Sequence, residues 1–326
     1  EQRRESLKQL REQWATWWKN DDKAAETLTG IYNALMNREA SREFDGSRIV
    51  IPGANPALQW RPWQKNVVWR VLQAGNTLVA HAVGAGKTYA GIAIAGEWKR
   101  LGLARKPMIV VPNHLVEQWR RDFQYAYPGA RVLVPEETDF EKERRQQLIA
   151  RIANQDWDAV IMAQSQYLRV SVKIATLKAF IEQQEAELLA EGSAQMGMDI
   201  ESFRAQVDAK EEGAKGLFGR GTDPSVKDIV RAILRLRARL QKRLDQAKKD
   251  SPIAFEELGA DGLIIDEAHM FKNLYFSTGK NGIVGLKGSD AARAMDMFLK
   301  ARIINENSQY RNLVFLTGTP VTSTMS

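Results

Sequence analysis

A glycine-rich stretch, Val83-Gly84-Ala85-Gly86-Lys87-Thr88, has the residue types that bind phosphate. It follows an apolar run at 77–82 and opens a helical pattern at 89–101, the context that a phosphate-binding loop requires. Glycines let successive backbone N–H groups turn toward phosphate oxygens, and the helix N-terminus adds its positive dipole end. In such a loop Lys87 bridges the outer phosphates of a nucleotide and Thr88 offers its hydroxyl to Mg²⁺. The alternative is a glycine-rich turn with an incidental lysine.

Two adjacent carboxylates end another apolar run, in Leu263-Ile264-Ile265-Asp266-Glu267-Ala268-His269. A strand that delivers two acids at its carboxyl end can hold Mg²⁺ and orient a water molecule for nucleotide hydrolysis. We expect Asp266 to hold the metal, through water, and Glu267 to activate or position the attacking water. On its own the pair also fits an aspartate that caps a helix after a core strand. The phosphate loop in the same chain favours the catalytic interpretation.

A third motif, Leu316-Thr317-Gly318-Thr319-Pro320, completes a set that resembles the first motor lobe of superfamily-two helicase-like ATPases. Within that superfamily the sequence is similar to the Snf (sucrose-non-fermenting) branch of double-stranded DNA translocases. Arg61-Pro62-Trp63-Gln64 resembles the adenine-reading motif of that branch, and Lys272-Asn273 follows the Asp-Glu-Ala-His box. The resemblance covers residues 45–326. It is greatest to the helicase part of large phage and mobile-element proteins that often also contain an adenine-DNA methylase.

The resemblance implies an ATP-binding site with Mg²⁺ as the metal. Its nucleotide-contacting residues would be Arg61, Gln64, Gly84, Ala85, Gly86, Lys87 and Thr88, with Thr88 and Asp266 at the metal and Lys87, Asp266 and Glu267 in catalysis. Gln64 would read the adenine edge, with Arg61 nearby. One departure is visible: His81-Ala82 replaces the acidic pair that usually precedes the loop in the Snf branch, and His81 stands where a small residue is usual.

Two further groups of residues take roles from the same resemblance. His269, Thr317 and Thr319 would couple the nucleotide state to the grip on nucleic acid. The turns Val111-Pro112-Asn113-His114 and Ala163-Gln164-Ser165-Gln166 match the places of two motifs that contact the nucleic-acid backbone. Asn113, His114, Gln164 and Ser165 would therefore touch DNA, which in this branch is duplex.

The elements that position these motifs alternate along the chain. Short apolar runs at 77–82, 108–111, 131–134, 159–162, 262–265 and 313–316 alternate with longer amphipathic stretches such as 89–101 and 115–125. Continuously apolar strands separated by helices predict a parallel sheet that is covered on both faces. The predicted fold class is α/β, a RecA-like lobe. We divide the chain into an N-terminal helical segment (1–44), a first part of the lobe (45–170), a charged helical insertion (171–255) and a second part of the lobe (256–326).

The first 40 residues predict two helices. Leu7, Leu10, Trp14 and Trp17 recur on one face of the first helix at three-to-four spacing. Apolar stripes usually face a core, so we expect an accessory hairpin with this stripe packed. A partner-binding surface is the alternative.

The insertion contains a helix of opposite charge to its surroundings. Residues 180–223 are strongly acidic, whereas 226–249 are strongly basic, with Arg231, Arg235 and Arg239 at i, i+4 spacing on one face. This face could contact a DNA backbone. It could equally be a solvated coiled-coil face that pairs with the acidic residues 180–212.

Composition limits the function classes. The 326 residues contain no cysteine and three histidines, which excludes disulfides and thiolate metal sites. A net charge of +7 suits an anionic partner such as nucleic acid. No apolar run approaches the roughly 20 residues that span a bilayer, and the N-terminus lacks the apolar core of a signal peptide. We therefore expect a cytoplasmic protein without membrane contact.

These observations predict a motor lobe that hydrolyses ATP to move along or remodel DNA. Two alternatives stay open: a catalytically silent DNA-binding or assembly module, and an unrelated phosphate-loop enzyme such as a small-molecule kinase. Residue 1 is glutamate and the chain ends six residues after Pro320, which predicts a fragment without the second lobe. Because the resemblance implies that this lobe supplies arginines worth about 10³–10⁵ in rate, we expect the fragment alone to be nearly inactive.

Overall fold

The computed structural model describes residues 2–36, 42–213, 218, 222–249, 253–272, 274 and 292–319. Two residues of the motifs quoted above, Asn273 and Pro320, lie outside these ranges. The chain divides into two units, Glu1–Phe44 and Asp45–Ser326. Among the described residues, no helix is long and apolar enough to cross a membrane.

The smaller unit contains two helices, α1 (Gln2–Asn20) and α2 (Asp22–Leu35). The apolar stripe on α1 is between 50% and 61% exposed at Leu7, Leu10, Trp14 and Trp17. The rings of Trp14 and Trp17 contact each other, with centroids 5.3 Å apart. The prediction that this stripe packs against a core is therefore wrong, because a unit of this size buries only a small part of its surface. A partner-binding surface stays the alternative interpretation of the stripe.

The larger unit is built on a sheet of six parallel strands. They are β1 (Thr77–Ala80), β2 (Pro107–Val111), β3 (Val132–Leu133), β4 (Ala159–Ala163), β5 (Gly262–Ile265) and β6 (Leu313–Thr317). Their order across the sheet is β1-β6-β5-β2-β4-β3, and every neighbouring pair is parallel. The central strands β2, β4 and β5 are buried along their whole length, as a sheet with helices on both faces requires. The predicted RecA-like α/β fold is confirmed.

Helices pack on both faces of this sheet. In chain order they are α3 (Pro62–Ala74), α4 (Lys87–Arg100), α5 (Val116–Ala126), α6 (Arg145–Asn154), α7 (Gln164–Arg169), α8 (Ile174–Met196), α9 (Ile200–Glu211), α10 (Pro224–Lys249) and α11 (Ala292–Asn307). Successive strand residues point to opposite faces. Ile109 and Val111 of β2 accordingly join a core cluster with α3, α4 and α5, whereas Met108 and Val110 join a second cluster with α6, α7 and the insertion.

The insertion between β4 and β5 consists of α8, α9 and α10. Its two ends meet at an isolated parallel bridge between Ser171 and Ala254. Buried residues of all three helices belong to the same apolar cluster as the neighbouring face of the sheet. At Gly192 a Cβ atom would lie 2.4 Å from the ring of Phe203, so the glycine allows α8 and α9 to approach closely. The insertion is thus packed on the lobe rather than extended from it.

A buried lysine ties α11 to α7. Lys300 is 0% exposed, and its ammonium donates to Asp296 Oδ2 at 2.6 Å and to the carbonyl oxygen of Tyr167 at 2.7 Å. The same ammonium lies 3.9 Å from the centroid of the Tyr167 ring. A buried charge requires pairing of this kind. This contact anchors the C-terminal end of α7, whose first residues carry one of the predicted nucleic-acid motifs.

Candidate functional site

The glycine-rich stretch forms a tight loop between β1 and α4. Gly84 and Gly86 adopt φ angles of 83° and 78°, a region that disfavours residues with a Cβ atom. The ammonium of Lys87 donates to the carbonyl oxygens of His81 at 2.9 Å and Ala82 at 3.1 Å. Since Lys87 and Thr88 open α4, the loop presents its N–H groups at a helix N-terminus, the arrangement that binds phosphate.

The motif that opens α3 supports this loop. Gln64 is 5% exposed, and its amide accepts the N–H of Arg61 at 2.9 Å and donates to the carbonyl oxygen of Gly86 at 3.0 Å. Trp63 donates its indole N–H to the carbonyl oxygen of Ala85 at 2.8 Å. The guanidinium of Arg61 lies over the Trp63 ring at 5.4 Å. Adenine recognition by Gln64 stays a prediction; support of the loop by Trp63 and Gln64 is a role that sequence reasoning missed.

We expect Gly86→Ala to weaken nucleotide binding severely. A Cβ atom there would lie 2.4 Å from Gln64 Nε2, so the substitution breaks the bond between Gln64 and the loop in addition to straining the backbone. Gly84→Ala is the matched control, because Gly84 has a similar φ angle but no atom within 4 Å of the added Cβ. Titration with a fluorescent ATP analogue should show a larger loss for Gly86→Ala than for Gly84→Ala. Equal losses would mean that Gln64 does not support the loop.

The first carboxylate of the acidic pair is buried at the carboxyl end of β5. Asp266 is 5% exposed. Its backbone N–H donates to the carbonyl oxygen of Val110 at 2.8 Å, and this bond continues the hydrogen bonding between β5 and β2. Its Oδ1 accepts the N–H of Glu267 at 2.9 Å, and its Oδ2 accepts the indole N–H of Trp119 at 3.1 Å. Burial raises the pKa of Asp266 above the usual aspartate value, while these two hydrogen bonds and the charge of Lys87 oppose the rise.

These residues fit a magnesium ion that arrives with a nucleotide. The Asp266 carboxylate is buried with two hydrogen-bond donors, and a buried anion is stabilised further by a nearby cation. Among the described residues no group of three or more His, Asp and Glu side chains could hold a metal by itself. Mg²⁺ commonly uses one or two protein oxygens together with water and phosphate oxygens. Thr88 and Asp266 are the side chains suited to that role.

The second carboxylate belongs to a chain of polar contacts that leads to β6. Glu267 has a left-handed backbone, with φ 49° and ψ 49°, which is uncommon for a residue other than glycine. Its Oε2 lies 3.1 Å from His269 Nδ1, which in turn lies 3.3 Å from Thr317 Oγ1. Thr317 Oγ1 also accepts the N–H of Thr319 at 3.1 Å. The structure thus brings the three predicted coupling residues together with Glu267.

The end of β6 also reaches the phosphate loop. A Cβ atom at Gly318 would lie 3.6 Å from Lys87 Nζ and 3.1 Å from the side chain of Val83. The loop, the acidic pair and the Thr317–Thr319 segment therefore meet at one edge of the sheet, where parallel strands end and ligands bind in folds of this kind.

The predicted nucleic-acid residues lie at the ends of two neighbouring strands. Asn113 and His114 are exposed just after β2, and Ser165 in the first turn of α7 donates its backbone N–H to Asn113 Oδ1 at 3.2 Å. Gln164 differs, because its amide donates to the carbonyl oxygen of Asp266 at 3.1 Å. Gln164 thus links α7 to the acidic pair, a contact that the sequence did not predict.

The arginines of α10 have different surroundings: one contacts acids of α8 and α9, and others are exposed. Arg237 of α10 contacts three carboxylates, at 2.5 Å from Glu185, 2.7 Å from Asp208 and 2.6 Å from Glu211. Arg231 contacts Asp228 of its own helix at 2.7 Å, and both Arg231 and Arg235 are exposed. Arg237, which lies outside the predicted stripe of Arg231, Arg235 and Arg239, thus pairs with the acidic segment.

Two relatives found by comparison with known proteins are much longer than this chain. The chain is 23% identical to Defense against restriction protein B of Escherichia phage P1, over 98% of this chain and 15% of the relative. It is 33% identical over 115 residues to an uncharacterized ATP-dependent helicase, YqhH, of Bacillus subtilis, covering 34% of this chain and 18% of the relative. The chain thus spans less than a fifth of the length of either protein.

Similar solved structures include the Sulfolobus solfataricus SWI2/SNF2 ATPase core in complex with double-stranded DNA, at 14% identity and a TM-score of 0.34 over 83% of this chain and 34% of that one. A second structure of the same core domain has 18% identity and a TM-score of 0.31, over 40% of this chain and 25% of that one.

A family model described as a probable helicase domain matches residues 69–326. That match covers more than half of the chain and confirms the resemblance to superfamily-two helicase-like ATPases. The chain belongs to the probable helicase domain family.

Proposed function

We propose that this domain binds ATP with Mg²⁺ and hydrolyses it to drive movement along, or remodelling of, duplex DNA, in the manner of the Snf branch. The observation that carries the proposal is the meeting of three motifs at one edge of the sheet. The phosphate loop, the Asp266–Glu267 pair and the Thr317–Thr319 segment lie in contact there, with His269 between the acid and the threonines.

Different residues of this chain take the separate roles in ATP binding and hydrolysis. Lys87 leaves its carbonyl partners in the loop to contact the outer phosphates, and the loop N–H groups bind the remaining phosphate oxygens. Thr88 and Asp266 would hold Mg²⁺, which would supply positive charge to neutralise the phosphates. Glu267 orients the attacking water and accepts its proton. Because His269 contacts both Glu267 and Thr317, a change at the γ-phosphate can reach β6 and the DNA-facing residues.

The proposed DNA surface includes exposed residues at the same edge of the sheet. Asn113 and His114 are open to a ligand, whereas Gln164 and Ser165 act in part through contacts to Asp266 and Asn113. We place a second contact on α10, at the exposed Arg231 and Arg235 and the partly buried Arg239. Arg237 already satisfies the neighbouring acids, and the chain carries a net charge of +7.

The intact protein is proposed to contain more than this domain. The phage relative is several times longer than the chain, since the alignment covers 15% of it. We propose that a second RecA-like lobe completes the nucleotide site with arginines, and that an adenine-DNA methylase is a further domain, as the sequence resemblance implies.

Neutralising the arginine stripe should reduce the salt dependence of DNA binding. Each phosphate contact releases counterions, so Arg231→Gln, Arg235→Gln and Arg239→Gln together should flatten the slope of log affinity against log salt by up to about 0.9 per lost contact. Arg237→Gln is the control, because it should lower the melting temperature without changing the slope. An unchanged slope in the triple variant, with a lower melting temperature, would support the coiled-coil interpretation instead.

The proposed function is tested by measuring whether ATP and duplex DNA change each other's binding affinity. If ATP state controls the grip on DNA, duplex DNA and a non-hydrolysable Mg-ATP analogue must change each other's affinity by the same factor, about 5–150-fold in coupled systems. Both titrations are made on the intact protein, and His269→Ala should reduce the factor because it interrupts the contact between Glu267 and Thr317. Independent binding of the two ligands would contradict the proposal.

A further inference from the structure

Trp119 lies beside the acidic pair although no motif identified it. It belongs to α5, is 1% exposed, and donates its indole N–H to Asp266 Oδ2 at 3.1 Å. Tryptophan has one side-chain donor and no acceptor, so this bond uses its whole hydrogen-bonding capacity. The other carboxylate oxygen of Asp266 is held by the N–H of Glu267. The two bonds together fix the plane of the carboxylate.

The indole is itself held in place by α4. At Gly91 a Cβ atom would lie 2.9 Å from Trp119 Cη2 and 3.1 Å from Leu316 Cδ1, so the glycine lets α4 pack directly on the ring. Gly91 is four residues after Lys87 on the helix that the phosphate loop opens. The ring therefore packs against the phosphate-loop helix, in the same core cluster as Leu316 of β6, and its nitrogen contacts the acid.

We propose that Trp119 is a positioning residue that orients Asp266 toward the magnesium of a bound nucleotide. The inference rests on the proposed function, because it assumes that Asp266 serves the metal. A side chain that hydrogen-bonds a metal ligand commonly changes metal affinity by about 10–100-fold when it is removed. Trp119 and Asp266 lie 147 positions apart in the sequence, and the fold brings them into contact.

A purely structural role predicts a different result from the same substitution. Trp119→Phe removes the N–H donor but keeps an aromatic ring, so a packing role would cost stability alone. Trp98→Phe is a matched control, since Trp98 is also 1% exposed in the same core cluster and packs against Gly262, at the opposite end of β5 from Asp266. Comparison of the two variants separates the loss of the donor from the loss of buried ring surface.

The test measures the Mg²⁺ requirement of nucleotide binding by the intact protein. With a fluorescent ADP analogue, Trp119→Phe should raise the Mg²⁺ concentration at half-saturation about 10-fold or more, while binding in EDTA and the Mg²⁺ requirement of Trp98→Phe stay as in the wild type. An unchanged Mg²⁺ requirement in Trp119→Phe, with wild-type nucleotide binding intact, would overturn the positioning role and leave the proposed function standing. If the wild type shows no Mg²⁺-dependent nucleotide binding, both fail.

A second measurement does not require a Trp119 variant to fold. The wild-type chain has nine tryptophans, each with one indole ¹H–¹⁵N signal. The signal that Asp266→Asn displaces should also move when Mg-ADP is added, and should stay in place when ADP is added in EDTA. The same movement with and without Mg²⁺ would show that the indole does not report on the metal, and would overturn the proposal.

Discussion

Replacing Glu267 with glutamine is expected to leave ATP binding intact and to reduce its hydrolysis by about 10²–10⁴-fold, the usual contribution of a general base. Glutamine keeps the shape of the side chain and can still reach His269, but it cannot accept the proton of the attacking water. Since we propose that Lys87 and the loop hold the phosphates, affinity for the nucleotide should change little. Loss of turnover with retained binding is the mark of a group that acts mainly in the transition state.

This result requires a control for loss of an ordinary surface charge. Glu182→Gln removes an exposed carboxylate of α8, whose partner is Lys178 at 3.7 Å, and should leave turnover unchanged. Single-turnover hydrolysis and binding of an ATP analogue are measured on the intact protein. Wild-type turnover in Glu267→Gln would remove Glu267 from the mechanism.

The second large effect is expected from Lys87→Ala, which should abolish most ATP binding. Truncation of one partner of a hydrogen-bonded charge pair costs about 2–5 kcal/mol, or roughly 30-fold or more in Kd. The substitution also removes the two bonds from Lys87 to His81 and Ala82, which hold the loop in its turn. Glu267→Gln and Lys87→Ala should therefore separate chemistry from binding.

The matched control is Lys178→Ala, which removes an exposed lysine from the surface pair used above. Isothermal titration with an ATP analogue should give wild-type affinity for this control and a large loss for Lys87→Ala. If Lys87→Ala binds the analogue as tightly as the wild type does, the loop does not bind the phosphates.

The strands were predictable because each is a short, continuously apolar run. All six appear within two residues of their predicted ends. The central strands β2, β4 and β5 are buried on both faces and need apolar side chains at every position. The helix after the phosphate loop begins two residues earlier than predicted, at Lys87, because Gly86 takes a left-handed conformation and starts the helix directly. By contrast, α11 was not predicted. It buries Asp296 and Lys300 as a pair, and these charges break the apolar pattern.

The site was predictable where function depends on residues close in sequence. The loop and the acidic pair are local motifs, and their placement followed from the strands that precede them. The contact between Trp119 and Asp266 joins residues 147 positions apart, and nothing in the helical pattern of α5 distinguishes Trp119 from an ordinary core residue. Likewise, periodicity placed Arg237 on α10 but could not show that this arginine, rather than the i, i+4 stripe, faces Glu185, Asp208 and Glu211.

The central claim is that this domain uses ATP hydrolysis to act on duplex DNA, and steady-state hydrolysis by the intact protein tests it most directly. The rate is measured at saturating Mg-ATP with duplex DNA, with single-stranded DNA, with RNA and without nucleic acid, and Glu267→Gln is run in parallel as the background. We expect duplex DNA to stimulate turnover above every other condition in the wild type and to have no effect on the variant. Turnover that is equal with and without duplex DNA, or that persists in Glu267→Gln, would contradict the account.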